Sequence, residues 1–72
     1  MSYKVEGVYY TSEVTCNEEF ETEKEAKEYY EKLIIELEEE YEEDVKNVID
    51  YITIYEENDD VYVRNIETYT YD

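Results

Sequence analysis

The sequence predicts an α+β domain that spans residues 1–72, with a long helix packed on one face of a three-stranded antiparallel sheet in the order β-α-β-β. Two patterns predict this class. Residues 22–41 place apolar side chains at helical spacing, whereas residues 3–16, 48–55 and 61–71 alternate β-branched or aromatic residues with polar ones. A chain of 72 residues has room for one small core, so we expect a single domain.

The helix is the element that the sequence defines best. Thr22 with Glu25 three residues later is the pattern of a capping box, which predicts that the helix starts here. The apolar stripe covers an arc of about 140° at 100° per residue, and its members are Ala26, Tyr29, Tyr30, Leu33, Ile34, Leu37 and Tyr41. A helix continued through Asp44 would bury that carboxylate, so we expect the helix to end between Tyr41 and Glu43.

The first strand is predicted to cover residues 3–16 as one bent strand. Gly7 breaks the alternation of side chains, which favours a bulge there; a tight hairpin at Gly7 is the alternative. Residues 17–21 are expected to form a short acidic connection, with Phe20 folding under the start of the helix.

After the helix, residues 42–47 are expected to form a turn and residues 48–55 the second strand. The run E-E-N-D-D at 56–60 is typical of a hairpin loop of four or five residues. The third strand, 61–71, changes its alternation near Asn65, which predicts another bulge. The open face of the sheet is expected to show tyrosines and threonines to water.

The composition restricts the kinds of partner. Twenty-three acidic against six basic residues give a net charge of −17, which repels nucleic acid and anionic membranes and favours a basic protein surface. The aromatic content of 17 % argues against a disordered acidic chain. Cys16 is the only cysteine, so we expect a reducing, cytoplasmic location and a half-buried strand residue rather than a nucleophile. No apolar run is long enough to predict a signal peptide or a membrane span.

Enzymatic function is not expected. The chain contains no histidine, one cysteine and one glycine, which excludes Ser-His-Asp, Cys-His, P-loop and Rossmann arrangements. No cofactor is predicted. The EF-hand spacing is absent from the run at 56–60, so we expect weak cation association but no dedicated metal site.

The most unusual feature is the segment at 36–44, E-L-E-E-E-Y-E-E-D, with seven acids and no base. On a straight helix its nine residues would carry one charge per about 1.9 Å, close to about 1.7 Å for duplex DNA. The acids also crowd the helix C-terminus, where the dipole favours cations. A merely solvated face, or adaptation to high salt, is the simpler interpretation of such a run.

In length, charge, predicted fold and this acidic run, the chain resembles the small, very acidic phage-encoded inhibitors that mimic DNA, among them anti-CRISPR and anti-restriction proteins. Members of this class share no diagnostic motif, so the resemblance transfers no individual residue. It implies that carboxylates occupy the Lys/Arg pocket where an effector reads phosphates or a protospacer-adjacent motif. The effector then cannot load DNA, and the host cytosol is the implied location.

The sequence therefore favours an inhibitor of a DNA-binding defence complex, most of all a CRISPR effector, that binds a basic protein or ribonucleoprotein rather than nucleic acid or membrane. The expected partner-binding residues are Glu28, Glu31, Ile35, Glu36, Glu38, Glu39, Glu40, Glu42, Glu43 and Asp44. A secondary acidic surface is expected from Glu18, Glu19, Glu21, Glu56, Glu57, Asp59 and Asp60.

Apolar anchors are expected beside this charge. Ile35 lies nearly opposite the core stripe, and Tyr51 and Tyr55 are candidates on the open face of the sheet. Two alternatives stay open: a homodimeric adaptor that assembles through Ile35 and the open face, with charge serving solubility, and a low-affinity cation buffer. The chain could be a monomer or a homodimer.

Overall fold

The sheet carries four strands in the described part of the chain. The computed structural model describes residues 1–11 and 14–71, with the side chains of residues 14–16 outside the description, so the expectation for Cys16 lies outside it too. The elements are β1 (Ser2–Tyr9), β2 (Val14–Phe20), α1 (Glu23–Tyr41), a 3₁₀ turn (Glu42–Asp44), α2 (Val45–Val48), β3 (Ile49–Asn58) and β4 (Val61–Tyr69). All neighbouring strands are antiparallel, in the order β2-β1-β3-β4.

The prediction of three strands was wrong, whereas the α+β class is confirmed. Residues 3–16 do not form one bent strand, because the chain reverses between Tyr9 and Val14 and β2 then pairs back along β1, from Val8 opposite Val14 to Tyr3 opposite Phe20. The acidic connection expected at 17–21 is therefore mostly edge strand. An edge strand pairs on one side only, so exposed Glu18 and Glu19 are compatible with it.

Of the two predicted irregularities, the bulge near Asn65 is confirmed, whereas at Gly7 the extra residue, Thr15, lies on the neighbouring strand β2. The pairing of β1 with β2 shifts register between Gly7 and Val8. In β4, Glu67 lies opposite Ile54 while Asn65 lies opposite Tyr55, which leaves Ile66 as the extra residue of a bulge. The break in the alternation near Asn65 thus corresponds to a bulge in β4 itself, whereas β1 pairs with β3 without a shift between Gly7 and Val8.

The helix starts and packs as predicted. The backbone N–H of Glu25 donates to Thr22 Oγ1 over 3.2 Å, and the Thr22 hydroxyl donates to Glu25 Oε1 over 2.9 Å. The core lies between α1 and the sheet and consists of Val5, Ala26, Tyr30, Leu33, Leu37, Val45, Ile49, Ile52 and Ile54. Phe20 packs against Tyr29, with ring centroids 5.3 Å apart, under the first turns of the helix.

The helix ends at Tyr41, also as predicted. Glu42 takes a positive φ of 51°, which turns the chain out of the α-helix, and Asp44 stays exposed instead of entering the apolar stripe. The polypeptide then passes through the 3₁₀ turn and the single turn of α2 into β3.

The hairpin between β3 and β4 is tighter than predicted. The strand continues through Asn58, so the connection consists of Asp59 and Asp60, whose φ values of 52° and 64° are both positive. Two consecutive residues in the left-handed region are the signature of a type I′ turn, which prefers Asn-Gly. The expected four- or five-residue loop is wrong because Glu56 and Glu57 belong to the strand.

We expect Asp59→Asn with Asp60→Gly to raise the free energy of unfolding by about 1 kcal/mol, because glycine adopts a positive φ without the steric cost that other residues bear. Asp59→Ala with Asp60→Ala removes the same two charges and should instead destabilise the protein. Urea unfolding of both variants measures the difference. Equal stabilisation of both would attribute the gain to charge and contradict the turn assignment.

Candidate acidic interface

The acidic segment, defined as Glu36, Glu38, Glu39, Glu40, Glu42, Glu43 and Asp44, is exposed at the C-terminal end of α1. Glu36 pairs with Lys32 over 3.6 Å on the helix surface. Within the described residues, none of the other six carboxylates takes part in an ion pair. Six carboxylates are therefore free of intramolecular neutralisation and available to a partner.

The acidic segment does not follow one straight helix. Its α-helical part ends at Tyr41, and residues Glu42–Asp44 form the 3₁₀ turn, so the carboxylates continue around the end of the helix. The charge spacing expected for a nine-residue straight helix therefore applies only to the part before Glu42. The curved arrangement concentrates charge at one end of the molecule instead of along a rod.

The local electrostatics of the helix terminus are unfavourable. The last turn of α1 contains no base, and the N–H of Glu42 caps the helix by donating to the carbonyl of Glu38. Anions at this terminus oppose the helix dipole, at a cost of about 0.3–1 kcal/mol each where they are close to it. Fold stability alone does not account for this choice of residues, which is typical of a functional surface.

The secondary acidic surface lies at the opposite end of the molecule. Phe20 and Glu56 both lie opposite Tyr3 in the ladder, which places the end of β2 and the β3–β4 turn beside the start of α1. A helix of 19 residues separates this end from the acidic segment by about 28 Å. Its exposed members are Glu18, Glu19, Glu21, Asp59 and Asp60. The sequence left open whether the two surfaces share a side, and the fold separates them.

Glu56 and Glu57 are not surface residues, which corrects their assignment to an exposed loop. They are only 5 % and 8 % exposed. Arg64 Nε donates to Glu56 Oε1 over 2.8 Å, and a second nitrogen of the same guanidinium lies 3.4 Å from Glu23 on α1.

Lys4 pairs with the other buried carboxylate. Its Nζ lies 3.2 Å from Glu57 Oε1, which is within ion-pair distance. The geometry is not that of a hydrogen bond, so this buried oxygen has no hydrogen-bond partner among the described residues. The polar contact with Glu57 raises the pKa of Lys4, and the charges of Glu19 and Asp60 add to the effect. Both buried carboxylates thus serve the cross-strand packing and are removed from any contact surface.

The residues that were predicted to be exposed on the outer face of α1 are exposed in the structure. Glu28 and Glu31 are exposed, and Ile35 is 56 % exposed. Of the four residues one turn from Ile35 at helical spacing, Glu31, Glu38 and Glu39 are acidic and the fourth is Lys32. The outer face therefore joins the acidic segment to one exposed apolar residue.

The tyrosines on the open face of the sheet are less available than predicted. Tyr51 is half-buried, and the Tyr55 hydroxyl donates to Glu6 Oε1 over 2.8 Å. The Tyr55 ring also lies 5.8 Å, centroid to centroid, from that of Tyr62. Burial, followed by the hydrogen bond to Glu6, raises the pKa of Tyr55. These contacts favour a structural role for Tyr55.

Sequence reasoning missed a cleft at the end of α1. It has a volume of about 460 Å³ and is lined by Tyr9, Tyr10, Thr11, Tyr41, Asn47 and Val48. Asn47 also borders a second open cleft, whose other lining residues are Glu42, Glu43, Asp44, Val45, Lys46 and Tyr71. We call the first the tyrosine cleft. The signal in the sequence was the pair Tyr9-Tyr10 at the end of a strand, among eleven tyrosines in the chain.

Tyr9 and Tyr41 fix one wall of the tyrosine cleft. Their hydroxyls share a hydrogen bond of 2.8 Å, and their rings pack edge to face with centroids 6.5 Å apart. The hydrogen bond to Tyr9, with burial as the next cause, raises the pKa of Tyr41 to about 12. The contact ties the end of β1 to the end of α1.

No protein-family model matches the chain, and neither the curated proteins nor the solved structures contain a significant match to it. The described residues include no group of three or more His, Cys, Asp or Glu side chains placed so that they could hold a metal ion. They also include no helix of sufficient length and apolarity to cross a bilayer.

We expect stability to fall at alkaline pH. Burial raises the pKa of Tyr30 and of Tyr71 to about 12. The hydrogen bond to Tyr9 raises the pKa of Tyr41 to about the same value. These folded-state pKa values exceed about 10, the value for an unfolded tyrosine. The contribution of these tyrosines to the free energy of unfolding is therefore complete below about pH 10 and is lost as the pH rises towards 12. Urea midpoints recorded with tyrosinate absorbance across this range measure the loss.

Tyr41→Phe is the matched control for the alkaline titration, because it keeps the ring and removes the ionising hydroxyl. The variant should lose one late-titrating group and show a smaller fall in stability above about pH 10. Stability that is independent of pH from neutral to about pH 12 would contradict the proposed environment of these tyrosines.

Proposed function

We propose that the protein inhibits a DNA-binding protein or ribonucleoprotein by placing its acidic segment in the Lys/Arg-lined site for target DNA. A CRISPR effector is the first target to test, in keeping with the resemblance to anti-CRISPR and anti-restriction proteins. The observation that carries the proposal is the group of six exposed carboxylates from Glu38 to Asp44 that no described base neutralises. The role is competitive binding, without catalysis or a cofactor.

The charge supports this class of partner. A net charge of −17 disfavours direct binding to nucleic acid and accelerates encounter with a basic surface. Sites that bind duplex DNA present lysines and arginines to phosphates, so a dense local array of carboxylates is complementary to them. The acidic segment supplies such an array, with six unpaired acids among the seven residues from Glu38 to Asp44.

Affinity also requires residues that become buried in the complex. Long-range charge mainly increases the association rate, whereas a few buried side chains carry most of the binding energy. Ile35 is 56 % exposed among glutamates and is the apolar candidate on the same face. It places an anchor within one helical turn of Glu38 and Glu39.

A homodimeric adaptor is the second candidate function, and the exposed apolar residues favour it. Besides Ile35, the edge strand β4 exposes Val61, Tyr62 and Val63. An unpaired strand edge can add a strand from another chain. Against a homodimer stands the repulsion between two copies that each carry a charge of −17. Sedimentation at low and high salt separates a dimer from a monomer that binds basic partners.

Reversing four acids of the segment, Glu38, Glu39, Glu42 and Glu43, to lysine should abolish inhibition of DNA loading by a purified CRISPR effector. The protein should remain folded and become more stable, because self-repulsion falls and cations suit the helix C-terminus. Gel-shift of target DNA and thermal unfolding measure the two effects.

The matched control reverses Glu18, Glu19, Glu21 and Glu67, which are exposed and lie away from the acidic segment. It changes the net charge by the same amount. This control should retain most of the inhibition, with a lower association rate. Inhibition that survives reversal of the acidic segment, or that is lost equally in both variants, would refute the local mimicry of DNA.

A further inference from the structure

The tyrosine cleft lies where the ends of three elements meet. Strand β1 ends at Tyr9, α1 ends at Tyr41, and α2 ends at Val48. The backbone N–H of Tyr10 donates to the carbonyl of Val48 over 3.1 Å, which holds the chain after β1 against the end of α2. Hydrogen bonds therefore connect the end of β1 to the ends of α1 and α2 around the cleft.

Aromatic walls and carboxylates lie side by side at this position. Tyr41 directly precedes Glu42, and Asn47 lines both the tyrosine cleft and the cleft that contains Glu42, Glu43 and Asp44. The ring of Tyr10 is 54 % exposed, so one aromatic side chain is accessible to a ligand without rearrangement. Aromatic rings attract cations over their faces, and nearby carboxylates strengthen that preference.

We propose that the tyrosine cleft binds an arginine side chain of the basic partner, an inference that rests on the proposed function. A guanidinium is planar, stacks on aromatic rings and is more weakly hydrated than an ammonium, so it is easier to transfer into an aromatic cleft than lysine. Its fork of N–H donors can also bond to the amide oxygen of Asn47, the residue shared with the neighbouring cleft that contains Glu42, Glu43 and Asp44. The acidic segment then attracts the partner, and the cleft selects one arginine.

Other occupants fit less well. An anionic ligand would be repelled by the adjacent Glu42, Glu43 and Asp44. A second copy of this chain would bring a further charge of −17 to a surface that is already acidic. A cationic side chain is the occupant whose charge is complementary to the carboxylates of the neighbouring cleft.

The test compares two probes, a poly-arginine and a poly-lysine peptide of equal length, by calorimetry. Both should bind with salt-sensitive affinity because of the acidic segment, and poly-arginine should bind more tightly. Tyr10→Leu should weaken poly-arginine binding about three- to fivefold, the effect of losing an exposed cation–π contact, and change poly-lysine binding less. NMR shifts induced by poly-arginine should include the Asn47 side-chain amide.

Tyr62→Leu is the matched control, because Tyr62 is 59 % exposed and lies on β4, outside the cleft. It should leave both affinities unchanged, and circular dichroism verifies that both variants fold. Equal binding of the two peptides with no effect of Tyr10→Leu would overturn the arginine site and leave the proposed function intact. Failure of both peptides to bind would overturn both. A dimer of the free protein that Tyr10→Leu dissociates would assign the cleft to a second copy instead.

Discussion

The structure depends on the packing of the apolar stripe of α1 against β1 and β3. Leu33, Leu37 and Tyr30 meet Val5, Ile52 and Ile54 in a core that is almost completely closed to water. In a chain of 72 residues with a net charge of −17, this small core opposes both the entropy of the chain and the repulsion between its acids. It also holds the end of α1 in place, and with it the unpaired carboxylates. The stripe therefore determines where the charge is displayed.

Local signals in the sequence predicted the helix, whereas the strand that was missed depends on long-range pairing. Thr22 starts α1 through a local capping box, and Asp44 limits its other end because a longer helix would bury that carboxylate, so both ends follow from the sequence. Strand β2 carries the polar run Asn17 to Glu19, whose side chains are exposed, and it pairs with β1 through its backbone. The reversal before it also lacks the glycine or proline that marks most turns.

The same distinction applies to the candidate site. The acidic segment is contiguous, so the sequence alone locates it. The pairing of Glu56 with Arg64 could not be predicted from the sequence, because the two residues become neighbours only through the register of β3 with β4. The tyrosine cleft likewise unites residues near positions 9, 41 and 47, which become neighbours only when three elements end together. Contacts of this kind require the topology, which was predicted with one strand too few.

The proposed function requires that the free carboxylates of the acidic segment contact the partner. Carbodiimide labelling of carboxylates, read by mass spectrometry on the free protein and on its complex with a purified effector, tests this most directly. We expect protection from Glu38 to Asp44, with labelling of Glu18, Glu19 and Glu21 unchanged. Undiminished labelling of the acidic segment in a complex that shields the open sheet face would contradict it.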